Sequence, residues 1–265
     1  MKEKKGMSVL SWLVILLCLA VAGFAAWKLW GYFKNYHNGE KEYEKLTEYV
    51  KENPDNGKNP DDAGNHDKCP VTIDFEALAK INSEVVGWIY IPDTDINYPI
   101  VQREDNEYYL HHTFEGASNF TGAIFLDALC QPDFSSDNSI VYGHNLKTGA
   151  MFGSLKKMYD IKYNKDADYR EHPVVWILTP EKTMEYRIFA GREISASTDT
   201  DVYLVEAASY EEYGEFLNTQ KEKSDFHTDT DVDDMQPMIT LSTCTSDSED
   251  GRFIVQAICI QSVES

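Results

Sequence analysis

Apolar and polar positions along the chain fall into three regimes. The first is SVLSWLVILLCLAVAGFAAW at 8–27, a stretch without a charge and long enough, at about 20 residues, to cross a bilayer as a helix. In the second, Tyr36, Tyr43, Leu46 and Val50 recur at roughly helical spacing among charges. KENPDNGKNPDDAGNHDK (51–68) then collects Pro, Gly, Asn and Asp, the composition of a linker or exposed loop. The third regime starts near Val71 and alternates short apolar runs with turn residues. The pattern divides the chain into an anchor over 1–30, a membrane-proximal helix and linker over 31–70, and a folded domain over 71–265.

Within that domain IDFEALAKIN (73–82) reads as a short helix, and almost everything else reads as strand. VVGWIYI stops at Pro92, and INYPIVQ carries Pro99, which suggests an edge position or a break. GAIFLDA, NSIVYGH, VVWILT and EYRIFAGREI follow, the last two flanking a turn at Pro180-Glu181-Lys182. MITLSTC and RFIVQAICI end the series, the second apolar on both faces and therefore central. Between the sixth and seventh strands, Ser209 and Glu212 form a capping-box pattern ahead of Tyr213, Phe216 and Leu217 on one helical face. A helix inserted there is expected to overhang the strand ends, which is compatible with its packing on the barrel. Seven or eight short strands with few helices predict a mainly β fold, a closed or nearly closed barrel.

Charge and cysteine usage narrow the function. A formal net charge of −21 argues against nucleic acid as a partner. Five scattered cysteines without CxxC spacing argue against structural zinc and against a disulfide framework, though one disulfide among Cys69, Cys130 and Cys259 stays open. Lys2, Lys4 and Lys5 precede the apolar run, which places the N-terminus in the cytoplasm and the rest of a single-pass chain outside. The rival is a cleaved leader, since Ala20-Val21-Ala22 resembles a cleavage site. The length of the run, and Trp27 and Trp30 at its end, favour an anchor in the cell membrane.

Candidate chemistry gathers at strand ends. Along ITLSTC, Thr240, Ser242 and Cys244 share one face. Cys244 closes its strand and Arg252 opens the next, so antiparallel pairing brings thiol and guanidinium to one end of the sheet. A fixed cation there helps retain a thiolate and can donate to an oxyanion. A thiol nucleophile also needs a proton carrier. Of seven histidines, His144 alone leaves an apolar strand through a glycine. His37 and His66 are membrane-proximal, while His111, His112, His172 and His227 suit surface or local hydrogen-bonding roles.

TLSTC at 240–244 with Arg252 downstream and YGHN at 142–145 resembles the sortases, membrane-anchored cysteine transpeptidases of Gram-positive cell surfaces. The resemblance covers residues 74–262. VVGWIYIPDTDINYPIVQ, DNEYYLHH, GAIFLD, SIVYGHNLKTGAMFG and ITLSTC are similar to class B segments, and the helix over 208–223 is a class B feature. It implies an eight-stranded barrel in which Cys244 attacks the carbonyl after the threonine of a sorting motif, His144 moves the proton and Arg252 steadies the oxyanion or holds the motif. The Thr245 backbone N–H is implied as a second donor, and Asn106, Leu110, Tyr142 and Ser242 as groove residues. The implied partners are a surface protein bearing the motif and an amine of the peptidoglycan cross-bridge or its lipid-linked precursor. No cofactor is implied.

Two other readings of the residues stay open, a thiol protease that releases the thioester to water and an anchored binding module with an inert cysteine. Asp229, Asp231 and Asp233 alternate as in a calcium loop, but Asp234 and Thr240 stand where an EF-hand needs Gly and Glu. No metal site is assigned.

Overall fold

The computed structural model describes residues 9–53, 68–155, 174–225, 228–232, 235–245 and 250–264. Lys2, Lys4 and Lys5, most of the 51–68 linker, His66, His172, His227, Asp233, Asp234 and positions 246–249 lie outside the described residues.

Helix α1 (Val9–Leu46) is followed by β1 (Val50–Glu52), β2 (Val71–Ile73) and α2 (Phe75–Ile81). Eight further strands make the barrel: β3 (Val85–Tyr90), β4 (Asn97–Val101), β5 (Ile124–Leu126), β6 (Asn138–Tyr142), β7 (Val174–Leu178), β8 (Lys182–Ser195), β9 (Met238–Cys244) and β10 (Gly251–Glu264). Helix α3 (Tyr210–Glu222) stands between β8 and β9. The barrel is closed in the order β10-β8-β7-β3-β4-β5-β6-β9, with β9 returning to β10. Pairings are antiparallel except β4 with β5 and β6 with β9. Closure removes the exposed edges that an open sheet of these strands would present.

Alternation along each strand supplies the core. Ile239 and Leu241 of β9 point inward with Phe253, Val255 and Ala257 of β10, while Thr240 turns the other way and donates to Asn138 Oδ1 at 2.8 Å. β10 is apolar on both faces because Phe253, Val255 and Ala257 face the barrel core while Ile254 packs with Ile194 and Val202 and Ile258 packs with α3. The edge position expected from Pro99 is corrected. β4 is internal, and its ladder with β5 begins at Ile100, after the residue that lacks an N–H.

Helix α3 is capped as its sequence implies, Ser209 Oγ accepting from the Glu212 amide at 3.2 Å. Tyr213, Phe216 and Leu217 pack on Phe189, Ala190, Met238 and Ile258. Met238 begins β9 and Cys244 ends it, so α3 covers the part of the barrel away from Cys244 and does not overhang it.

The folded unit also starts earlier than Val71. Tyr43 and Leu46 belong to the main core, β1 pairs with β2 through Val50↔Ile73, and the Asp74 amide donates to Tyr49 O at 3.0 Å. An apolar stripe at helical spacing suits a free stalk and a docked helix equally, and here it is docked. Leu46→Ala is therefore expected to lower the unfolding free energy by about 2–5 kcal/mol, against less than about 0.5 kcal/mol for the exposed Glu48→Ala. Urea denaturation of the two variants measures the difference, and equal, small effects would return Leu46 to the linker.

Candidate active site

The rim of the barrel is set by how β9 pairs on its two sides. Toward β6 the pairing is parallel and in register up to Tyr142↔Ser242, and the Gly143 amide extends it to Ser242 O at 3.1 Å. His144 and Cys244 each lie two residues past that pair, so they leave the barrel at the same end, on strands about 4.8 Å apart. Toward β10 the pairing is antiparallel, with Arg252 directly opposite Cys244. Directly opposed residues hold their Cβ atoms about 4.5–5.5 Å apart. His144, Cys244 and Arg252 thus occupy one row of backbone positions across three neighbouring chain segments. Asn145 ties the row together, its Nδ2 donating to Cys244 O at 2.8 Å.

The cysteines separate by environment. Burial pushes the thiols of Cys69 and Cys130 up to about 12, and that of Cys259 upward as well. All five are free, and only Cys18, in the apolar half of α1, and Cys244 are exposed. The disulfide left open among Cys69, Cys130 and Cys259 is thus not formed. A thiol held so far above neutral pH is inert, which leaves Cys244 as the accessible thiol on the barrel.

His144 is held on two sides. Its Nε2 lies 2.8 Å from Leu110 O. A carbonyl can only accept, so Nε2 carries the hydrogen and the neutral ring keeps its lone pair on Nδ1. On the other side is Gly122, at φ +59, where a Cβ would stand 2.8 Å from His144 Cδ2 and 2.6 Å from Tyr109 O. Only glycine fits, for both its backbone conformation and its closeness to the ring. Burial lowers the imidazole pKa, the Leu110 hydrogen bond opposes that shift, and neighbouring His111 adds to it.

The remaining residues take roles the sequence leaves open. Asn106 donates from Nδ2 to Asp127 Oδ2 at 2.8 Å and accepts from the Ala128 amide at 2.9 Å, so its amide pins the loop before Leu110 to the end of β5. The Tyr142 hydroxyl donates to the same Asp127 oxygen at 3.0 Å. Burial first, and the Asp127 carboxylate next, raise the Tyr142 pKa and keep the phenol protonated. Leu110 acts on His144 through its carbonyl. Ser242 Oγ lies 3.0 Å from Tyr203 Oη, in the turn that follows β8. The Thr245 amide donates to Gly251 O at 2.9 Å and closes the base of the β9–β10 turn, so in this structure it is not turned toward an oxyanion. Arg252 Nη1 donates to Gly251 O at 2.9 Å, which draws the guanidinium back over the same turn.

Asn145, Gly122, Asp127 and Tyr203 are missed by sequence reasoning. Asn145 sits inside the YGHN segment. Gly122 and Asp127 bracket AIFL and read there simply as strand limits.

An accessible thiol on a barrel rim, with a histidine just past one neighbouring strand and an arginine on the other, has the groups that cysteine acyl transfer requires. Residues 89–259 match the sortase domain family, and the chain belongs to that family. It is 33% identical over 246 residues to sortase B of Listeria monocytogenes, covering 91% of this chain and 93% of that one. The fold is similar to crystal structures of sortase B from Bacillus anthracis (TM-score 0.69, 31% identity, 86% of this chain and 99% of that one). It is also similar to the Staphylococcus aureus sortase B–substrate complex (TM-score 0.63, 29% identity, 71% and 84%). The class is B, and the activity is that of a cysteine transpeptidase that processes a sorting motif.

Because its folded-state pKa is lowered, His144 binds its proton more weakly in the fold than in the unfolded chain. Its contribution is therefore lost as pH falls through the ordinary value of 6.5 toward the lower folded value. NMR titration of the His144 ring is expected to give a midpoint below 6.5. A midpoint above it would contradict the buried, neutral imidazole.

Proposed function

We propose that Cys244, His144 and Arg252 carry the reaction of this transpeptidase, and that the row they form across β6, β9 and β10 is the observation that supports it. The thiol attacks the carbonyl after the threonine of a sorting motif and passes its proton to His144 Nδ1, which is the ring nitrogen left open by the Leu110 bond. The guanidinium of Arg252 stabilises the oxyanion or holds the motif, once it swings from Gly251 O. The C–N bond breaks as His144 returns the proton to the leaving amine, and a thioester remains on Cys244. An incoming amine then gives its proton to His144 and takes the acyl group, which restores the thiol.

The acceptor is an amine of the peptidoglycan cross-bridge or of its lipid-linked precursor, and the donor is a surface protein carrying the motif. Asn106 and Tyr142 support the groove through Asp127, and Ser242 through Tyr203. The apolar half of α1 anchors the chain in the cell membrane, N-terminus inside and catalytic domain outside. Its large side chains from Val9 to Phe33 are exposed in the folded chain, as a lipid-facing helix requires.

The full-length chain in detergent micelles, given quenched-fluorescent sorting peptides with and without a cross-bridge-like amine, tests this directly. Cleavage after threonine with an amine-linked product is expected. Cys244→Ala is expected to abolish it, His144→Ala to lower it about 10²–10⁴-fold, and Arg252→Ala about 10²–10³-fold. Free acid as the sole product in the presence of the amine would make the enzyme a protease. Activity retained in Cys244→Ala would overturn the assignment.

A further inference from the structure

The reaction as described uses nothing before Asn106, yet the last turns of α1 are built into the wall that holds His144. Tyr43 Oη donates to Gly122 O at 2.8 Å and accepts from the Phe114 amide at 3.2 Å, both in the interior. On the adjacent residue, Glu42 Oε1 accepts from the Glu115 amide at 2.8 Å. Asn119 Nδ2 donates to Asn35 O at 2.7 Å, and a Cβ on Gly39 would meet Thr121 Oγ1 at 2.7 Å. Every one of these contacts falls on the segment 114–122.

That segment has a second face. Gly122 lies so close to the His144 ring that a Cβ there would stand 2.8 Å from Cδ2. The Ala123 amide donates to Tyr109 O at 2.9 Å, and the Asn119 amide to His111 O at 2.8 Å, which binds the segment to the turn that presents Leu110 O to His144 Nε2. Both supports of the imidazole therefore belong to one loop layer, and the back of that layer rests on α1. The loop after His144 is held from the same side. Tyr36 hydrogen-bonds Thr148, and Tyr98, packed edge-on against Tyr43, accepts from the Met151 amide at 3.2 Å.

We infer that Tyr43 is a positioning residue for His144, acting through Gly122, so that catalytic competence depends on the membrane-proximal end of α1 being docked on the barrel. Tyr43 touches no reacting atom. Its hydroxyl is one of few groups able to satisfy a carbonyl and an amide at once, and removing it leaves both unpaired in the interior. The shift this allows at Gly122 need only be small, because a displacement of about 1 Å at a catalytic group costs on the order of 10²-fold in rate. The inference rests on His144 being the proton carrier of the transpeptidase. His111 is the titratable neighbour acting on the ring, Cys244 and Arg252 lie on the next two strands, and Glu42, Tyr98 and Tyr109 are the titratable groups acting on Tyr43.

The test compares full-length Tyr43→Phe with Phe216→Ala, which loosens α3 on another part of the barrel. Two readouts are taken well below the melting transition, peptide turnover and the NMR titration of His144. Tyr43→Phe is expected to lower kcat about 10- to 100-fold with KM little changed, and to move the His144 midpoint toward 6.5 as the ring loses its close packing. Phe216→Ala is expected to lower the melting temperature without either change. Because the titration needs no substrate, it reports on the coupling even where no peptide is turned over, which separates failure of this inference from failure of the proposed reaction. An unmoved midpoint with unchanged kcat in folded Tyr43→Phe would overturn it. So would the same changes in Phe216→Ala, which would reduce the effect to general loosening.

Discussion

The site depends on one piece of backbone geometry, the parallel pairing of β6 with β9. Antiparallel neighbours bring the end of one strand beside the start of the next, which is how Cys244 meets Arg252. A parallel neighbour brings two strand ends together, and that is how a histidine from the middle of the chain arrives beside the cysteine. Both relations are needed, because a row of imidazole, thiol and guanidinium cannot be made from one hairpin. The hydrogen bonds of Gly143 to Ser242 O and of Asn145 to Cys244 O carry the parallel relation past the last residues of the ladder.

Around that row the protein spends burial selectively. Cys244 stays exposed where a peptide can reach it, while His144 is packed between Gly122 and Leu110 O. The packing selects the neutral ring and one tautomer, which leaves the lone pair on Nδ1. Asp127 gathers Asn106 and Tyr142, and Tyr203 hydrogen-bonds Ser242. Neither cluster supplies the reacting atoms. The first pins the loop before Leu110 to the end of β5, and the second ties the turn after β8 to β9.

Much of this was legible in the residues. Period-two alternation marks the barrel strands, and the apolar–glycine–histidine ending of β6 and the cysteine ending of β9 mark a rim. The pairing order was not legible, because the contact between β6 and β9 joins segments far apart in sequence and no local pattern encodes it. Gly122 was opaque for a different reason. A glycine at the start of an apolar run reads as a turn, and its nearness to an imidazole is a tertiary fact. Tyr43 shows the same limit, since the helical spacing that placed it on a stalk also fits a docked helix. The Thr245 amide is a further case, since its donation to Gly251 O follows from how the β9–β10 turn closes.

The most direct test of the account is to trap its intermediate. The full-length chain would be incubated with a threonine-containing sorting peptide in the absence of any amine, quenched in acid, digested and mapped by mass spectrometry. The account predicts an acyl remnant ending in threonine on the Cys244 peptide, discharged to an amide when the amine is added before quenching. An acyl group on any other residue, or peptide cleavage that leaves Cys244 unmodified and persists in Cys244→Ala, would contradict it.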